Sequence, residues 1–234
     1  MSDSIPGFIS ALQLADASFP SGRYTLSHGL ESLVQHGVIT RSTDIGTLGG
    51  FLADQLRHGF APSDGIALAY AHRAAADGHE ALAIEADRRL TAVKLTREAR
   101  DASTRTGRQL LATASGVFGG AATARHRAAV AATTAPGNAA VVMGLLLAEL
   151  GVPLIHAAAT ELYAFMAGWL NAAVRLDIAD HRVAQAILHG SRSLLRETSQ
   201  RVVDAELDEL SSCVPLIDVM NMRHEQASLR LFST

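Results

Sequence analysis

The sequence predicts one all-α domain spanning 1–234, a bundle of roughly eight to ten helices. Apolar residues recur at helical spacing through most of the chain, as in Leu48, Phe51, Leu52, Leu56 and Phe60. No run alternates apolar and polar residues, and Gly and Pro fall between segments of helix length. A hydrophobic fraction of 48% against 18% charged residues over 234 positions supplies one sizeable core. It also leaves apolar surface for a partner to cover.

A first helix is expected over about Gly7 to Ala15. Ser18 to Gly22 is a turn, with Pro20 fixing φ and Gly22 free to take φ > 0, and it opens a helix from Tyr24 to His36 that Gly37 ends. That helix carries Tyr24, Leu30, Leu33 and Val34 as its apolar stripe, leaving Ser27, His28, Glu31 and Gln35 to a partner or water. Thr43 or Asp44 caps the next helix, which Pro62 stops; Ser63 and Asp64 start another, broken at Asp77-Gly78. Helices follow over 79–95 and 96–114. In the second of these Arg97, Arg100 and Arg108 share a basic face. Residues 115–138, interrupted by Gly116, Gly119, Gly120, Pro136 and Gly137, read as a flexible connection with one short helix at most. Strong helical pattern resumes at Ala139 and breaks at Gly151-Val152-Pro153. The Leu154–Leu176 helix, with Phe165, Met166 and Trp169, reads as the centre of the core. Asp180 caps a long helix to about Leu210, and a short one starts at Val214-Pro215.

Few kinds of chemistry survive inspection. The net charge of -3 and the absence of a basic block give no footprint for nucleic acid or an anionic membrane. Val141–Leu150 is too short to span a bilayer, and Ala157–Val174 contains Glu161 and Asn171. Lys94 is the sole lysine and lies in A-V-K-L-T-R-E, so there is no P-loop. One cysteine, Cys213, excludes an internal disulfide and fits a reducing, cytoplasmic compartment. His28 and Glu31, with Gln35, are weak metal candidates on one side of the second helix; Met220, Met222 and His224 offer soft donors if extended but packing if helical. G-x-S-x-G is absent and no catalytic residue is assigned.

Four strings then occur in order: L-Q-L-A-D-A-S-F-P-S-G-R-Y-T-L-S-H-G-L-E-S (Leu12 to Ser32), T-R-E-A-R…G-R-Q-L-L (Thr96 to Leu111), G-L-L-L-A-E-L-G-V-P-L (Gly144 to Leu154) and P-L-I-D-V-M-N-M-R-H-E…L-R-L-F-S (Pro215 to Ser233). Together they resemble the UreF family of urease accessory proteins. The resemblance implies an all-α, non-enzymatic, homodimeric scaffold that binds the UreD (UreH) accessory protein and recruits the GTPase UreG, so that nickel enters apo-urease. It implies no cofactor of the chain's own, nickel being handled by the assembled complex. Many members show G-H-x-P where this chain has Gly137-Asn138-Ala139-Ala140, and Asn138 receives no role from the resemblance.

Partner-binding residues are expected in two places. The tail, 221–234, offers Met222, Arg223, His224, Glu225, Leu229, Arg230, Leu231 and Phe232 to the UreD-type partner, because its apolar residues would otherwise fray at a terminus. The Phe19 turn, Tyr24 and the Arg97/Arg100 face are expected to serve dimer formation or UreG binding. The alternatives are a GTPase-activating or GTPase-regulating protein that donates an Arg to UreG, a direct nickel carrier and, more distantly, a helical ligand-binding regulator.

Overall fold

The computed structural model describes residues 5–227 and 230–233. Among these the regular structure is entirely helical. The α-helices are α1 (Ile5–Ala15), α2 (Leu30–Gln35), α3 (Ile45–Gln55), α4 (Ile66–Asp77), α5 (Glu80–Val93), α6 (Arg97–Val117), α7 (Ala121–Ala131), α8 (Ala139–Glu149), α9 (Leu154–Arg175), α10 (His181–Gly190), α11 (Arg192–Asp204) and α12 (Pro215–His224). None is long and apolar enough to cross a membrane. There are more of them than expected because the long helix after Asp180 divides at Ser191 and ends at Asp204; α7 is the one short helix expected within 115–138.

Side-chain caps fall where the sequence places them. Asp44 accepts from the Thr47 N–H at 3.0 Å and Asp180 from the Val183 N–H at 2.8 Å. Two other expectations fail. The helix drawn from Tyr24 is a single 3-10 turn, Arg23–Thr25, followed by extended Leu26 and by left-handed His28 (φ 52) and Gly29 (φ 83). Leu26 and Ser27 are thereby buried, and Gly29 lies so close to α12 that a Cβ would stand 2.9 Å from Asn221 Oδ1. Packing against α12 overrides local helical periodicity, and α2 is only six residues long.

Pro62 does not stop its helix either. Residues Leu56–Gly65 continue from α3 into α4 as a π-helix with Pro62 inside. In a π-helix each N–H bonds the carbonyl five residues back, so the N–H missing at Pro62 is one that Arg57 O would have accepted. The segment before α12 braces this stretch from outside: His58 O accepts from Cys213 N–H at 2.8 Å and Pro62 O from Ser211 N–H at 3.0 Å.

Two apolar clusters share the core. Every residue of α8 from Ala139 to Leu147 is buried, walled by α4 and α6 in the first cluster; α9 carries the second around Trp169, Met166 and Leu162. A helix apolar all round must be enclosed on every side. Close approach makes this possible at Gly144, where an added Cβ would collide with the Leu68 carbonyl of α4. Gly144→Ala is therefore expected to destabilise the fold by about 1–3 kcal/mol, read as a lower denaturation midpoint at unchanged slope. An unchanged midpoint would show that α4 and α8 are not held at this distance.

Candidate functional site

The chain beyond α12 turns back and is clasped to the body. Ser228 and Leu229 lie outside the described residues, and the Leu229 contribution expected of the tail with them. The next residues make a continuous set of contacts. Leu231 N–H donates to Glu31 Oε1 at 2.8 Å, Phe232 N–H to Glu31 Oε2 at 3.1 Å and Ser233 N–H to Thr25 O at 2.9 Å. Arg230 reaches Glu98 Oε1 at 2.7 Å, and Arg105 reaches Ser233 Oγ at 2.8 Å.

His224 joins the two carboxylates. Its Nε2 is 3.0 Å from Glu31 Oε2 and its Nδ1 2.7 Å from Glu98 Oε2, in a site where His224 and Glu31 are each 1% exposed. A buried carboxylate is tolerated when donors converge on it, and Glu31 has two backbone amides, an imidazole and Gln35 Nε2 at 3.3 Å. Phe232 is buried as well. The Arg175 guanidinium lies between the Tyr24 ring, 4.1 Å from its centroid, and the Phe232 ring at 4.2 Å.

The expected site residues therefore separate by direction. His224, Phe232 and Glu31 face inward, whereas Met222, Leu231 and Arg223 are exposed, Leu231 by 80%. Leu216 and Val219 extend that outer face of α12. Tyr24 is half outside, with its ring on Arg175. Glu225 accepts from the Glu98 N–H at the start of α6 and lies 3.5 Å from Arg97, whose side chain stays exposed. Arg100 points elsewhere: its Nη1 donates to the carbonyls of Lys94 and Leu95 and closes the C-terminus of α5. Glu98, Arg105 and Arg175 were missed by sequence reasoning. Nothing local marks them, since every one of these partners lies more than fifty residues away in the chain.

His28 and Glu31 are not brought together as a ligand pair. The His28 ring meets Phe165 edge-on at 4.9 Å and Phe60 at 6.4 Å, while Glu31 serves the tail. Among the described residues no group of three His, Cys, Asp or Glu is placed to hold a metal ion. Burial pushes the His28 imidazole down to about 4, so it is neutral at pH 7.

The sign of the resulting pH effect follows from linkage. The folded chain binds fewer protons at His28 than the unfolded chain between about pH 6.5 and 4, so its stabilising contribution is complete above pH 6.5 and lost as pH falls through that window. Between pH 7 and 4 the wild-type chain should lose about 3 kcal/mol more than His28→Asn, measured by denaturant unfolding at each pH. Parallel pH profiles for the two would contradict a neutral imidazole at this position. At the tail, Glu31→Gln is expected to cost about 1.5–3 kcal/mol and to lower amide-exchange protection of Leu231 and Phe232 at least tenfold. Unchanged protection at both amides would mean that this carboxylate does not hold the tail.

The family model described as UreF matches residues 42–192. "Urease accessory protein UreF 2" of Brucella canis is 30% identical over 98% of this chain and 93% of its own length. "Urease accessory protein UreF" of Trichodesmium erythraeum is 30% identical over 96% of each chain, and that of Arthrobacter sp. is 28% identical over 94% of each. A family match over more than half the chain, carried across nearly all of it by relatives of the same name, makes this protein a member of the UreF family.

Proposed function

We propose that this chain is a non-catalytic scaffold of urease maturation. It binds the UreD/UreH accessory protein through the outer face of α12 and the tail, recruits the GTPase UreG and, as a cytoplasmic homodimer, enables nickel insertion into apo-urease. One observation supports the docking surface most directly. Leu216, Val219 and Met222 stand exposed on one broad face of α12, and Leu231 extends it from a tail whose inward groups are already bonded. Apolar side chains held outward on an ordered backbone lose little conformational entropy when a partner covers them. A second apolar stripe, Ile5, Phe8, Ile9 and Leu12 on α1, also favours an assembling chain.

The GTPase-regulating alternative needs an arginine free to reach a partner's nucleotide. Arg97 meets that need better than Arg100, because Arg100 is spent on the end of α5 while Arg97, among the described residues, has a long contact to Glu225 and an exposed side chain. Loss of UreG stimulation in Arg97→Ala alone would favour this reading.

The docking surface is tested by Met222→Asp combined with Leu231→Asp. Both positions are exposed, so the variant should fold with an unshifted melting temperature yet bind the UreD-type partner at least tenfold more weakly in co-expression and size-exclusion experiments. Undiminished co-purification and urease activation would place the partner elsewhere.

A further inference from the structure

A cavity of about 160 Å³ lies between the π-helix, α6, α9 and α12. Two ion pairs stand in its wall: Lys94 Nζ to Asp64 Oδ2 at 2.7 Å, and Arg23 Nη2 to Glu161 Oε1 and Oε2 at 2.7 and 2.8 Å. His28, neutral at pH 7, adds no charge. The remaining titratable group is Asp218 of α12, whose carboxyl is raised above the ordinary carboxylate range by burial. With both cations already matched, Asp218 is the acidic side chain of the wall that has no ion-pair partner among the described residues.

Its uncharged groups point to the same kind of occupant. Gln55, Ser103, Thr106 and Asn221 line the cavity, and each has a buried side-chain oxygen with no hydrogen-bond partner within the described chain. Gln55 and Thr106 are more than nine-tenths buried. Gln55 has used its Nε2 on the His28 carbonyl at 2.8 Å, leaving Oε1 as an acceptor only. Asn221 Oδ1 is likewise an acceptor, and the two hydroxyls can accept. Buried acceptors beside one unmatched carboxylate call for a ligand that supplies N–H donors and a single positive charge.

We propose that this cavity binds a small monovalent organic cation that donates N–H hydrogen bonds, of the alkylammonium or amidinium class. Asp218 supplies the countercharge; Gln55, Asn221, Ser103 and Thr106 receive the donors. The volume accommodates one such molecule or several waters. For so few heavy atoms the affinity is expected to be about millimolar.

The charge and donor requirements can be separated with probes of one shape. Acetamidinium, acetamide and acetate are nearly isosteric and carry +1, 0 and −1, while tetramethylammonium carries +1 without an N–H. Titrated into ¹⁵N-labelled protein at constant ionic strength, acetamidinium should shift the Gln55 and Asn221 side-chain amide signals saturably. Acetamide should bind at least tenfold more weakly, and acetate and tetramethylammonium should leave these signals unmoved. Asp218→Asn, at a partly exposed position, should abolish the preference for acetamidinium over acetamide, and the near-isosteric Thr106→Val should weaken both. Equal binding of the charged and neutral probes, binding of tetramethylammonium, an unaltered preference in Asp218→Asn, or no saturable shift with acetamidinium would each overturn the proposal.

Discussion

Carboxylates withdrawn from solvent hold several non-helical parts of this protein in place. In an α-helix nearly every amide is used internally, so the amides left over belong to helix starts, turns and tails. Buried Glu31 and Asp87 and half-buried Glu149 each collect two of them. Glu31 takes Leu231 and Phe232 of the tail; Asp87 takes Gly137 and Asn138 at 2.7 and 2.9 Å; Glu149 takes Ala122 and Thr123 at the start of α7, at 2.6 and 3.3 Å. In each case the charge is stabilised by the donors it orders, and the segment is fixed by the charge. The dependence is mutual.

Asp87 shows how far the effect reaches. It is fully buried and also accepts from Asn138 Nδ2 at 2.7 Å and lies 3.1 Å from His126 Nε2, tying α5, α7 and the turn before α8 together. That turn delivers α8 into the core, where Gly107 of α6 passes so near the backbone of Gly137 and Asn138 that a Cβ would collide with it. Asn138, given no role by family resemblance, closes this junction and is itself buried. The placement of the most apolar helix thus rests on a polar contact made before it begins.

Helix type, most caps and the long helices α6 and α9 were legible in periodicity and capping residues. What escaped was set by distant packing. Periodicity carried a helix through Tyr24 to His36 because nothing local announces that Ser27 must be buried and Gly29 must meet α12. Pro62 was read as a stop because the segment that braces its π-helix, through Ser211 and Cys213, lies some hundred and fifty residues later. The same blindness affects the site. Glu31 has the sequence appearance of a solvated helix face and is instead the anchor of the tail; Arg100 looks like part of a binding face and is a helix cap. Met222, Leu231 and Phe232 were grouped as apolar residues of one tail, and nothing local separates Phe232, which is buried, from Met222 and Leu231, which are exposed.

That inward and outward division ties tail order to partner binding on the proposed reading. Leu231 and Met222 form a surface only while the chain around them is fixed, and it is fixed by Glu31, Glu98 and the Tyr24–Arg175–Phe232 stack. Binding to such a surface must then strengthen whatever holds the tail, and loosening the tail must weaken binding by the same free energy, since linkage is reciprocal. A partner touching only α12 would feel Glu31 through His224 alone, whereas one that covers Leu231 also feels the amide bonds that this carboxylate makes to the tail. The thermodynamic coupling between the buried carboxylate and the exposed face therefore grows with how much of the tail the partner contacts.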